Sequence, residues 1–247
     1  PISSAWFEHQ ELGRRLGIPL VSPGDIHPSG GLLMADVEGG QQEIQVLYNR
    51  SSTERLTLPV DRLTPVGELL AGPMLAGNLA VVNSFGTGVA DDKAVHCYVD
   101  ELIGFYLGEQ PLLTNARSYD LGNAEHREAV LARLGEVVVK PRWTFGGQDI
   151  VIGPRTPAEQ LEKLAATIRR SPERFIAQEM VMLSTHPTIF GGTLSPRHID
   201  LMPYVLTIGD QVEVAPEALT RFARNEGEMI VSSARGGGAK DTWILET

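Results

Sequence analysis

Hydrophobic and polar positions change period several times along this 247-residue chain, and each change predicts an element. Trp6, Phe7, Leu12 and Leu16 fall at roughly helical spacing, with Ser3 or Ser4 as cap and Gly17 as terminator. Short strands are expected at residues 18–21 and, after the Gly39-Gly40 turn, at 45–48, giving a helix–strand–turn–strand fragment of an α/β layer. Residues 51–65 are polar with two prolines and read as a connector. Pro65 opens a short helix through Leu69 and Leu70 that Pro73 should interrupt. Residues 79–83 form a buried-strand candidate, broken by Gly86 and Gly88. Asp91 or Asp92 then caps a helix whose apolar stripe is Val95, Val99, Leu102, Ile103 and Tyr106.

The central pattern is EVVVKPRWTFGGQDIVI, residues 136–152. Val137, Val138 and Val139 suit a buried strand, which delivers Lys140 to its end before Pro141 stops ladder pairing. Gly146 and Gly147 make a hairpin, and Ile150 to Ile152 resume strand spacing. A helix over 124–134 precedes this stretch; a helix opened by Pro157 and a strand at 175–181 follow it. Residues 199–208, 212–215 and 229–232 are expected as a mostly antiparallel set. A lysine at a strand end before a glycine hairpin suits polyphosphate, because the ammonium is a point charge and glycine backbone closes on oxygens. It equally suits a solvated lysine beside an ordinary turn. No Gly-Lys-Ser/Thr follows the glycines, so the stretch is not a Walker loop.

Composition narrows the chemistry. A net charge of −10 argues against non-specific nucleic-acid or anionic-membrane binding. Cys97, the only cysteine, excludes an internal disulfide or thiolate cluster, and its place among apolar residues makes it an inert core thiol. No apolar run approaches a membrane span and no signal pattern opens the chain, so a cytoplasmic location is the default expectation. Starting at Pro1 rather than methionine predicts a trimmed or processed chain.

Asn83, Asp92-Lys93, Lys140-Pro141, Gly146-Gly147 and Ala177-Gln178 occur in the order found in glutathione synthetases. The strings GTGVADDKAV, IAQE, STHPT, PRHIDL, LTR and GGGAKDTW resemble the circularly permuted ATP-grasp family over nearly the whole chain. That resemblance implies an α/β (α+β) fold of two lobes with a nucleotide cleft. It divides the chain into a remnant of a preceding α/β domain at 1–75 and an ATP-grasp region at 76–247. Within the latter, 136–183 would be a β-β-α-β lid and 184–247 the second lobe. It further implies ligation of a small carboxylate to an amine or thiol, using ATP and Mg2+ through an acyl-phosphate. Lys93 and Lys140 would hold the α- and β-phosphates under Gly146 and Gly147. The backbone of Glu179 and Val181 would read adenine beside Gln178. Arg221, and Arg197 or Arg235 as a replacement arginine, would meet the transferred phosphate near Asp200, and Gly236, Gly237 and Gly238 would form a loop near the acceptor.

Two departures weigh against a complete enzyme. Met202 stands where the family pattern has arginine after Asp200-Leu201. The Glu-x-Asn segment that binds magnesium would lie upstream of Pro1, so the metal ligands are unknown within this sequence. A non-catalytic nucleotide-binding or scaffold protein is therefore the rival reading, and a small-carboxylate kinase a third. His186 and His198 have either a site role or a structural one. Trp143 and Phe145 either shield phosphates or pack beneath the hairpin. Ser184 and Ser195 lack His-Asp partners for hydrolase chemistry.

Overall fold

The computed structural model describes residues 6–49, 56, 62–82, 84–144, 147, 149–232 and 235–245, which divide into two compact units at Asp91/Asp92. Asn83, Phe145, Gly146, the cap serines and most of the 51–65 connector lie outside the described residues. In the first unit, α1 (Trp6–Leu16) is followed by the antiparallel sheet of β1 (Ile26–Ser29), β2 (Leu32–Val37) and β3 (Gly40–Glu43). A second, parallel pair joins β4 (Val46–Tyr48) to β5 (Ala80–Val82). Between them lies α2 (Pro65–Leu75), whose cap Thr64 accepts from the Gly67 N–H at 3.0 Å. Leu33, Leu70 and Leu79 form the core. The helix α3 (Gly88–Asp91) closes the unit.

Three expectations are corrected here. Residues 18–21 are not a strand: Gly17 is left-handed (φ 65°) and the Ile18 N–H returns to the Gly13 carbonyl at 3.1 Å. That is a helix-terminating motif which uses the segment's backbone and leaves Ile18 and Leu20 exposed. Pro73 does not interrupt α2 at once: the helix runs on to Leu75, and the carbonyls of Gly72, Pro73 and Met74 accept from the N–H groups of Ala76, Asn78 and Gly77 as it ends. The strand expected at 79–83 is β5, and it is only part-buried: Leu79 just before it is in the core, but Val82, on a two-stranded ladder, is 49% exposed.

The second unit opens with α4 (Lys93–His96), capped by Asp92 through the Ala94 N–H, and α5 (Val99–Leu107). The single helix expected from Asp92 is thus broken at Tyr98, whose hydroxyl donates to Asp120 Oδ2 at 3.0 Å. The expected stripe is not core either, since α5 has no buried residue. The four strands β6 (Ser118–Asp120), β7 (Val137–Pro141), β8 (Val151–Ile152) and β9 (Phe175–Glu179) pair antiparallel in the order β6-β9-β7-β8. The helices α6 (Ala124–Leu131) and α7 (Ala158–Arg170) supply Val130 and Ile168 to its core. Strand alternation sends Val137 and Val139 into that core, at most 1% exposed, and turns Val138 and Lys140 to the other face.

A second four-stranded antiparallel sheet holds β10 (Thr185–Phe190), β11 (Thr193–Ile208), β12 (Gln211–Phe222) and β13 (Gly238–Trp243) in chain order. Strands β6, β10 and β13 were not foreseen. Residues 229–232, expected as a strand, are irregular and line a cavity instead. The mixed α/β architecture, with seven α-helices among the described residues, matches the expected fold class.

Candidate active site

The cavity lies in the second unit and encloses about 340 Å³. One wall is the helix-free face of the β7–β9 sheet, with Val138, Lys140, Ile152 and Gln178; the register pairs Val138 with both Gln178 and Ile152. Met229, Ile230 and Val231 also line it, as do Asp200 and Arg221 from the second sheet. Aliphatic walls with a few polar groups make a slot suited to a flat heterocycle and a charged tail.

Lys140 is half-buried, and loss of hydration, followed by the nearby charge of Lys93, lowers its pKa. Its ammonium donates to Gln178 Oε1, while Gln178 Nε2 donates to Ser118 Oγ at 2.8 Å. The amide is thereby oriented from both ends. Lys93 does not line the cavity. Its ammonium donates to the carbonyls of Arg142, at 3.1 Å, and Thr144, so it holds the chain entering the glycine turn. Asp92 binds Arg142 through both oxygens, with Nε at 3.0 Å, and that guanidinium holds the Asp92 carboxyl below its usual range. On the far side of the turn, Arg235 Nη2 donates to the Gly147 carbonyl at 2.8 Å. Gly147 has φ 76°, and a Cβ there would meet Ile230 at 3.0 Å, so only glycine fits both backbone and neighbour.

Strand β9 leaves the sheet into Met180 and Val181, both lining the cavity. The Glu179 N–H is committed to the Arg117 carbonyl at 2.9 Å. Its carboxylate accepts from the Tyr119 hydroxyl at 2.6 Å and from Arg133, which together lower its pKa. Asp200 and Arg221 are cross-strand partners forming a two-pronged pair, Nε to Oδ1 at 3.0 Å, and Asp200 keeps the guanidinium firmly charged.

The structure thus brings Lys140, Gly147, Gln178, Glu179, Val181, Asp200 and Arg221 to one cavity. Others sit apart. Arg197 occupies the opposite face of β11 from Asp200 by strand alternation, and it is buried. Gly236 to Gly238 lead into β13, where a Cβ on Gly238 would strike the Phe222 ring at 2.2 Å. Met202, opposite Leu219, shares the Asp200 face. His198 Nδ1 lies 2.9 Å from the Leu183 carbonyl. Trp143 is 62% exposed with the Arg142 guanidinium over its ring. Cys97 is part-buried, and burial pushes its thiol up to about 11, which suits an inert role. Ser118, Tyr119, Arg133 and Arg142 escaped sequence reading because each acts on a residue 14 to 60 positions away. Among the described residues no group of three or more His, Cys, Asp or Glu side chains comes together as a metal site. Asp200 and Glu179, the carboxylates on the cavity, are already engaged by arginines, so the residues described do not fit a magnesium ion.

The family model for circularly permuted ATP-grasp type 2 matches residues 1–223. The chain belongs to that family. An uncharacterised protein of Synechocystis sp. is 39% identical over 99% of this ATP-grasp chain, which covers 51% of that relative. A Frankia alni protein with the name "Putative glutamate--cysteine ligase 2-3" is 41% identical over 99% of the chain, which covers 28% of it. An uncharacterised protein of Mycobacterium tuberculosis is 39% identical over 98% of the chain, which covers 44% of it. The chain therefore spans about half, or less, of the curated relatives it matches. The solved ATP-grasp ligase PsnB, complexed with its minimal precursor, superposes with a TM-score of 0.50 at 17% identity, over 99% of this chain and 74% of that one. This likeness concerns the fold alone. No helix among the described residues is long and apolar enough to cross a membrane.

Proposed function

We propose that this chain carries the nucleotide site of an ATP-dependent ligase that joins a small carboxylate to an amine or thiol in the cytoplasm. The carrying observation is Lys140, a half-buried ammonium on a cavity of about 340 Å³ that combines aliphatic side chains with Gln178, Asp200 and Arg221. Adenine would lie between Val138 and Ile152 on one side and Met229 to Val231 on the other, with the strand exit at Glu179 and Val181 reading its edge. Lys140 would hold the α- and β-phosphates, and the glycine turn that Lys93 and Arg235 tether would cover them. Arg221, kept rigid by Asp200, would meet the γ-phosphate. The segment 136–183 acts as the lid and 184–247 as the facing lobe, preceded by the α/β remnant at 1–75. Gly236 to Gly238 would border the acceptor.

The reaction this arrangement supports has two displacements. A carboxylate oxygen attacks the γ-phosphorus, forming the acyl-phosphate as the bridging bond breaks and its electron pair leaves on ADP. The amine or thiol then attacks the acyl carbon, loses its proton, and expels inorganic phosphate. Most of the protein's contribution to phosphoryl transfer is positioning and charge neutralisation, which Lys140 and Arg221 provide here. Magnesium is the family's cofactor, and bound with the nucleotide it would neutralise phosphate charge during transfer. The name of the Frankia alni relative supports a carboxylate–amine ligase.

Calorimetric titration with ATP tests this reading. Lys140→Ala is expected to weaken binding by about 1.5–3 kcal/mol, the worth of a hydrogen bond to a charged group. An unchanged affinity would remove Lys140 from the site.

A further inference from the structure

The second sheet has a concave face that the nucleotide cavity does not use. Its outer strands β10 and β13 are separated by two others, yet Lys240 Nζ on β13 donates to His186 Nδ1 at 2.8 Å and to the Pro187 carbonyl at 2.7 Å. Phe190 on β10 meets Phe222 on β12 edge-on with centroids 5.6 Å apart. The sheet is therefore curled, and strand alternation puts Arg197, Thr188, Thr220 and Lys240 on the inside of the curl.

This interior sets polar side chains among the apolar Phe190, Ala218 and Phe222. Thr188 is 2% exposed and Thr220 7%. Their hydroxyls are satisfied, Thr188 by the His186 carbonyl and Thr220 by Thr242. Arg197 is not. It is only 8% exposed; Nε donates to Ser195 Oγ at 2.9 Å, the guanidinium lies over the Phe190 ring, and the buried Nη1 has no partner. No carboxylate pairs with Arg197 or with Lys240 among the ion pairs of the described residues. A guanidinium cannot shed its proton, and buried charge without a counter-charge is strongly disfavoured. Neither the aromatic face nor a serine hydroxyl supplies negative charge.

We infer that the concave face of this sheet is an anion site, in which Arg197 Nη1 and the Lys240 ammonium at its rim bind a small oxyanion, a carboxylate or a phosphate. The site is separate from the nucleotide cavity, since Asp200 and Arg221 project from the other face of the same strands. With Nε already used on Ser195, the buried Nη1 is the end of the guanidinium left to meet the anion.

The test is thermal unfolding of the 247-residue chain at constant ionic strength, with sodium phosphate or sodium glutarate replacing sodium chloride. A saturable rise of about 2–4 °C is expected with one or both oxyanions, and the two arms tell phosphate from carboxylate. Arg197→Met should abolish the rise, and Lys240→Gln should raise its midpoint concentration roughly tenfold. A response no larger than that to chloride overturns the inference. So does a saturable rise with the same midpoint in both variants, because the anion would then bind elsewhere. If Arg197→Met does not fold, Lys240→Gln decides alone, and an unshifted midpoint there overturns the site.

Discussion

The two four-stranded sheets of the second unit solve the problem of a buried face in opposite ways. The β6-β9-β7-β8 sheet is covered on one side by helices, and its core is aliphatic: Val130, Val137 and Ile168 are fully buried. The β10–β13 sheet leaves Leu201, Val205, Val212 and Val214 more than half exposed, while its inner face buries Thr188, Thr220 and Arg197 alongside only Ala218 and Phe222. The first sheet is stabilised by removing apolar surface from water, so its free face can carry a desolvated lysine without losing its shape. The second relies on backbone ladders and paired polar groups, so each polar partner matters more to it. Stability and site chemistry are thus divided between faces in the β6-β9-β7-β8 sheet and mixed within the β10–β13 sheet.

The sharpest way to break this comparison is in the core of the helix-covered sheet. Ile168→Ala should lower unfolding free energy by about 2–5 kcal/mol, as cavity-forming substitutions do. Val212→Ala, on the exposed sheet, should stay within about 0.5 kcal/mol. Equal losses in urea denaturation of the two variants would show that both sheets are buried alike.

A smaller effect is expected at the tether of the glycine turn. Asp92→Asn should cost about 1.5–3 kcal/mol, the scale of hydrogen bonds to charged groups. Because Arg142 lowers the Asp92 pKa on folding, its contribution is complete above the ordinary carboxylate pKa and fades as pH falls through the lowered value. The Asn variant should lack that part of the acid destabilisation, so a pH profile parallel to the parent's would remove the pair from the account.

The smallest change concerns proton uptake in the cavity. The Lys140 pKa is lowered by burial, and polyphosphate favours the ammonium, so ATP binding should raise it again. Affinity then falls as pH rises through the lowered value, and binding takes up a proton in the window between the lowered and restored values. Calorimetry in buffers of different ionisation enthalpy reads this directly. Lys140→Arg, which stays charged, should show neither the uptake nor the alkaline decline.

Local pattern by itself determined most of the β7–β9 segment. The valine run, the helix from 158 and the strand at 175 express side-chain period and backbone restriction, which neighbouring residues settle. Pro141 does not stop the ladder as expected: it stays paired with Phe175, and the Arg142 N–H still reaches the Arg174 carbonyl at 3.0 Å. The order of lysines and glycines, with the longer motif strings, was enough to point to the ATP-grasp family. Tertiary structure decided what those side chains touch. Lys93 and Lys140 look alike in sequence, yet one tethers the turn through two carbonyls while the other faces the cavity beside Gln178. Arg197 and Arg221 are both motif arginines, but strand alternation and a cross-strand partner put only Arg221 at the cavity. Residues 229–232 have the apolar run of a strand and become a cavity wall, because a β-ladder needs a partner that no local pattern supplies. Hydrogen bonds spanning 14 to 60 residues, such as those of Arg133 and Gln178, leave no periodic trace along the chain and exist only once the sheet has brought their ends together.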